Sequence, residues 1–149
     1  MRKILAAATA VATLAVGAAA TDALRASETP KLVTILTAPE PQTQLMSMVL
    51  TMQSIQQGAE ASVLLCGPAG DLALKDAPES ATAPQKPKGM SPQGLMMKVI
   101  EAGATVEVCA IYLPNKGVGP EALIDGVTPA KPPAMAAKLL ADDARLLSF

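Results

Sequence analysis

The chain has 149 residues, of which 12 are basic and 13 acidic; it has no histidine, one tyrosine and one phenylalanine. The balanced charge and the lack of aromatic side chains offer nucleic acid neither a basic patch nor a stacking surface. The lack of histidine excludes Ser-His and Cys-His catalytic pairs and any zinc site that contains histidine. The length suits one domain, so we expect a single domain that binds no nucleic acid.

The first twenty residues have the pattern of a secretory signal peptide. Arg2 and Lys3 precede small and apolar residues at 4–17, and Ala18-Ala19-Ala20 offers an A-x-A cleavage site. The apolar run is short and rich in alanine for a membrane span, and an uncleaved anchor is the alternative. We therefore predict a periplasmic protein with a signal peptide at 1–20, a polar leader at 21–30, a domain at 31–149 and no stable membrane span after cleavage.

The predicted domain opens with a strand and a helix. Residues 31–37 form a nearly continuous apolar run, which is typical of a strand buried on both faces of a parallel sheet. Residues 42–57 are predicted to be helical, because apolar side chains recur there at the helical spacing and Gly58 is a helix-ending signal. The predicted apolar stripe consists of Leu45, Met48, Val49, Met52 and Ile55.

A second strand, a loop and a second long helix are predicted next. Residues 60–66 form an apolar strand that ends at Cys66. Residues 77–89 contain three prolines, two lysines and no large apolar residue, so we expect a mobile surface loop that buries little. Ser91 and Pro92 are typical of a helix start, and this helix is predicted to extend to Gly103.

The third predicted strand carries the residue best placed to react. Over 104–110, apolar and polar residues alternate, as in a strand. The sequence Pro114-Asn115-Lys116-Gly117 is typical of a turn, so the strand must end before it. Cys109 therefore lies near the carboxyl end of a strand, at the edge where ligands bind in open α/β sheets.

A short helix at 120–124, a brief strand at 126–128, a helix at 132–143 and a last strand at 145–149 are predicted to complete the domain. Helices and strands thus alternate along the whole domain. This alternation predicts a three-layer α/β/α fold with a mainly parallel sheet of about five strands and right-handed crossovers.

Several segments, in their order and spacing, resemble those of a known family. They are the first strand and helix, Val63-Leu64-Leu65-Cys66-Gly67, the cysteine-bearing segment 103–110, Gly117, Leu123-Ile124-Asp125-Gly126-Val127 and residues 144–149. Together they resemble the DsrE/DsrF-like sulfur-relay family across nearly all the mature chain, here as an exported member. The resemblance implies a homo-oligomer and a cysteine that carries sulfur as a persulfide, at the position of Cys109.

The chemistry of the two cysteines leaves alternatives open. A Cys109 thiolate could act alone, stabilised by a helix N-terminus or by Lys116; otherwise Cys109 is a small buried hydrophobe and Lys116 a solvated charge. Cys66 also ends a strand, and consecutive strands of this kind are usually neighbours. Cys66 is therefore either a partner of Cys109 or a plain core residue. If the protein is exported, the partners could form a disulfide.

Three functions are compatible with the sequence. The first is sulfur or thiol handling through Cys109, with Cys66 as a candidate partner and a small sulfur species or a thiol protein as the reacting partner. The second is a non-catalytic oligomeric module for binding or assembly. The third is a soft-metal binder, because thioethers and a thiolate suit Cu(I), although most methionines lie on predicted helical stripes. We predict no cofactor or metal site, and the sequence does not decide whether the protein is an enzyme.

Export gives the first testable prediction. Protein purified from its native host should begin at Thr21, or at Leu24 if Ala23 is the second cleavage point, because signal peptidase prefers small residues before the cut. Intact-mass measurement checks this. Recovery of the full-length chain from the membrane fraction would contradict it and favour an anchor.

Overall fold

Five parallel strands form one sheet in the computed structural model, which describes residues 29–149. The predicted signal peptide and the leader up to residue 28 lie outside the described residues. The strands are β1 (Lys31–Leu36), β2 (Glu60–Leu65), β3 (Thr105–Val108), β4 (Val127–Pro129) and β5 (Ala144–Ser148). Their order across the sheet is β4-β3-β2-β1-β5, and every neighbouring pair is parallel.

Helices cover both faces of the sheet, which confirms the three-layer α/β/α prediction. The α-helices are α1 (Pro41–Gln56), α2 (Glu79–Thr82), α3 (Pro92–Glu101), α4 (Tyr112–Lys116) and α5 (Pro132–Leu139), with 3-10 turns at Gly67–Ala73 and Pro120–Ala122. On one face α1 packs against α3. On the other face α5 donates from Lys138 Nζ to Glu107 of β3, at 2.8 Å. No helix within residues 29–149 has the length and apolar character needed to cross a membrane.

The main core lies between the sheet and the α1–α3 layer. β2 alternates buried and more exposed residues, which places Val63 and Leu65 on the core side. Val106 and Val108 of β3 join them there. Such alternation directs residues of opposite parity in the same strands towards the α5 face.

Two segments expected to be irregular contain helices, so those predictions are wrong in part. Residues 77–89 include α2, and Ala81 is only 2% exposed in the core. The segment contributes to the core without a large apolar side chain, because α2 packs against α3 and buries the small side chain of Ala81. The expected turn at 114–117 belongs mostly to α4, which tolerates Pro114 in its first turn and ends at Gly117, whose φ of 74° is left-handed.

The last helix is shorter than predicted. α5 ends at Leu139 rather than at residue 143, and Leu140 is 82% exposed. Aspartates are poor helix formers, and Asp143 instead pairs with Lys31 at the start of β1, at 2.9 Å. The chain thereby leaves the helix early and enters β5.

α1 buries hydroxyl groups against the sheet, a feature that its apolar stripe did not predict. Thr51 donates from Oγ1 to the carbonyl oxygen of Ser47, at 2.8 Å, and its Oγ1 lies 2.8 Å from Thr34 Oγ1 of β1. Since the single proton of Thr51 is used by Ser47, Thr34 must be the donor to Thr51. Both threonines are fully buried. The outward side of α1 instead exposes Met46 (50%) and Leu50 (39%).

The threonine pair predicts unequal effects of two similar substitutions. Thr51→Val leaves the buried Thr34 hydroxyl without an acceptor, so it should lower the free energy of unfolding by about 1–3 kcal/mol. Thr34→Val leaves Thr51 bonded to Ser47 and should cost less, about 1 kcal/mol. The double variant should be more stable than Thr51→Val alone. Urea unfolding of the three variants checks this, and strictly additive losses would contradict it.

Candidate functional site

The pairing of β2 with β3 places Cys66 opposite Cys109. Leu65 pairs with Val108 as the last residues of the two strands, and the cysteines are the next pair along. The Cys109 amide donates to the Leu65 carbonyl at 2.7 Å, and the Cys66 amide donates to the carbonyl of Leu36 at 2.9 Å. The hydrogen-bonded ladder thus continues to both cysteines, which lie at the carboxyl edge of the sheet.

Both cysteines are partly exposed free thiols, and Cys109 lies near enough to Cys66 to affect its pKa. Burial raises the pKa of Cys66 to about 12, helped by its hydrogen bond with Cys109 and by the negative charge that a Cys109 thiolate places beside it. Cys66 therefore keeps its proton at neutral pH and can donate a hydrogen bond to an anionic sulfur at Cys109. Near neutrality, the pair carries no more than one negative charge.

The loops that follow the two cysteines are tied together by Asp71. Its carboxylate accepts hydrogen bonds from the Tyr112 hydroxyl and from Lys116 Nζ, the latter at 2.7 Å. Burial acts to raise the pKa of Asp71, but the hydrogen bonds from Lys116 and Tyr112, with the charge of Lys116, hold it below its ordinary value. Gly70 lies against the Tyr112 ring so closely that a Cβ at this position would overlap it.

Lys116 was one candidate for stabilising a Cys109 thiolate. The structure instead pairs its ammonium with Asp71, and its side chain is 44% exposed. It is therefore a partly solvated charge at the end of α4, and its contact joins α4 to the 3-10 turn after β2.

Sequence reasoning missed the roles of Asp71 and Tyr112. One signal in the sequence could have found them, because Asp71 closely follows Cys66 and Tyr112 closely follows Cys109. Loops after neighbouring parallel strands meet at the same edge of the sheet.

Three methionines contribute to packing, whereas Met46 and Met97 are exposed. Met48, Met96 and Met135 are buried among apolar side chains, as expected of a flexible residue that fills gaps. Within residues 29–149, no group of three or more histidine, cysteine, aspartate or glutamate residues is arranged to hold a metal ion.

Comparison with known proteins bears on the fold. The structure of the ychN protein from E. coli matches with a TM-score of 0.63 and 18% identity, over 82% of this chain and all of that one. MTH1491 from Methanobacterium thermoautotrophicum, a protein of unknown function, matches with a TM-score of 0.59 and 9% identity over the same shares. At these identities the likeness shows the fold alone, and at that level it supports a DsrE-like fold. No protein-family model and no curated protein sequence matches the chain.

The raised pKa of Cys66 predicts an order of alkylation. Near pH 8, iodoacetamide should modify Cys109 before Cys66, because the thiolate is the reactive form and the raised pKa of Cys66 keeps that thiol protonated. Cys109→Ala removes both the hydrogen bond and the neighbouring charge, so it should lower the pKa of Cys66 and speed its alkylation about tenfold or more. Peptide mapping of the labelled cysteines checks both expectations. Equal labelling in the natural chain, or an unchanged Cys66 rate in Cys109→Ala, would contradict them.

Proposed function

We propose that the protein is an exported sulfur- or thiol-handling protein in which Cys109 accepts a sulfane sulfur atom as a persulfide. The observation that carries this proposal is the pairing of Cys109 with a second, protonated thiol at the carboxyl edge of a parallel sheet. The DsrE-like fold supports a sulfur-related role at the level of the fold class. Export rests on the signal-like sequence at 1–20.

The proposed reaction needs only one nucleophile. The Cys109 thiolate attacks a sulfane sulfur of a polysulfide or of a low-molecular-weight persulfide, and a new S–S bond forms. The rest of the donor leaves with the electron pair of the broken S–S bond. Cys66 retains its proton and donates a hydrogen bond to the anion at Cys109, which takes the place of the histidine that this sequence lacks.

Sulfur uptake tests the proposal directly. The reduced mature protein is exposed briefly to inorganic polysulfide, and the products are trapped by alkylation and weighed intact. Cys66→Ser should gain the mass of one sulfur atom, because Cys109 is present and a hydroxyl can still donate to it. Cys109→Ser should keep its fold, since serine is nearly isosteric and the site is partly exposed, and it should gain far less sulfur in the same brief exposure because burial still raises the pKa of the remaining Cys66 thiol. Uptake by Cys109→Ser equal to that by Cys66→Ser would overturn the assignment to Cys109.

A second candidate function, a non-catalytic oligomeric assembly module, is favoured by exposed apolar side chains. The outer side of α1 leaves the large apolar side chains of Met46 and Leu50 exposed among glutamines. Other exposed large apolar residues are Met97, Ile111, Val118, Leu140 and Leu146. In a homo-oligomer, such residues would be covered by a second copy.

Light scattering at micromolar concentration tests assembly. We expect a homo-oligomer, and the double variant Met46→Lys, Leu50→Lys should dissociate because two charges cannot be buried unpaired at an apolar contact. Ala136→Lys, at an exposed position of α5 on the opposite face of the sheet, is the control and should leave the mass unchanged. A monomeric mass for the natural chain would contradict the assembly function and leave the thiol function unaffected.

A further inference from the structure

We propose that Cys66 is a resolving thiol, which attacks the persulfide on Cys109, releases hydrosulfide and leaves a Cys66–Cys109 disulfide. This inference rests on the proposed function, because it needs a persulfide at Cys109. It gives the second cysteine a chemical role. With this step the protein would not only carry sulfane sulfur but also reduce it to hydrosulfide.

The backbone geometry suits a disulfide between these two positions. Neighbouring strands lie about 4.8 Å apart, and disulfides join Cα atoms separated by about 4.4–6.8 Å. Cys66 and Cys109 are direct neighbours across β2 and β3, one residue beyond the last ladder pair. The chain turns away immediately after Cys66, at Gly67 with a φ of 54°.

The step balances without any further reactant. The sulfur of Cys66 attacks Sγ of Cys109, and the bond between that Sγ and the outer sulfur breaks. The electron pair of this bond leaves with the outer sulfur, which also receives the proton of the Cys66 thiol and departs as hydrosulfide. The two cysteine sulfurs are oxidised together by two electrons, and the sulfane sulfur is reduced by two electrons.

The raised pKa of Cys66 is consistent with Cys109 reacting first with the sulfur donor and Cys66 attacking afterwards. Because burial and the neighbouring Cys109 raise its pKa to about 12, Cys66 does not compete with Cys109 for the sulfur donor. Its proton is retained until an acceptor forms beside it. Attack within one chain also needs no encounter between molecules, which compensates for the weak nucleophile.

The product of this step defines what must follow it. A Cys66–Cys109 disulfide can accept no more sulfur, so each chain releases one hydrosulfide and then stops. A thiol or dithiol reductant must reopen the disulfide by exchange before another cycle. The protein would therefore act between a reaction that supplies sulfane sulfur and a thiol reductant.

The test compares the natural mature protein with Cys66→Ser after loading with inorganic polysulfide and removal of the excess. The natural protein should release close to one hydrosulfide per chain, lose both alkylatable thiols and weigh two hydrogen atoms less than its reduced form. Cys66→Ser should keep the added sulfur and release at least about tenfold less hydrosulfide over the same time. If the natural protein holds its sulfur as long as Cys66→Ser does, Cys66 is not a resolving thiol.

Two further outcomes separate this inference from the proposed function. Uptake without release in both proteins overturns the resolving role and leaves the persulfide carrier standing. No uptake in Cys66→Ser overturns the proposed function and, with it, the resolving step. If Cys109→Ser, treated in the same way, released as much hydrosulfide as the natural protein, that result would also overturn the inference, because this variant has no second thiol to form the disulfide.

Discussion

The site depends on the register in which β2 pairs with β3. Val63 and Leu65 of β2 and Val106 and Val108 of β3 are all buried in the core beneath α1 and α3. A slip of one residue in either strand would turn its apolar side chains to the other face, so burial fixes the pairing. The next pair in that register is Cys66 and Cys109. Burial of these four apolar side chains therefore also places the two thiols opposite each other at the edge of the sheet.

A second level of order comes from the loops beyond the strands. The register alone would leave the cysteines at the start of two independent loops. Asp71 joins these loops by accepting from both Tyr112 and Lys116. An exposed ion pair contributes little to stability, but a partly buried carboxylate with two donors restricts where both loops can go. The thiols thus lie at the end of the strand ladder, where two segments joined by Asp71 begin, and the neighbouring Cys109 contributes to the raised pKa of Cys66.

The sequence predicted most of the fold, because buried parallel strands and amphipathic helices have distinct periods. It placed Cys109 at a strand end for the same reason. It could not decide between core and partner for Cys66, because register is a property of two strands together. The inner face of α1 was predicted incompletely, since the hydroxyls of Ser47 and Thr51 satisfy themselves on helix carbonyls and so can be buried among apolar residues.

Cys66 and Cys109 lie near enough to react with each other if the register of β2 and β3 is as described, and controlled oxidation measures this. The reduced mature protein is titrated with a thiol-specific oxidant at several protein concentrations, and the products are resolved by intact mass. We expect a disulfide within one chain that forms at a rate independent of protein concentration, with no cross-linked chains. Disulfides only between chains, forming faster as the protein concentration rises, would contradict it.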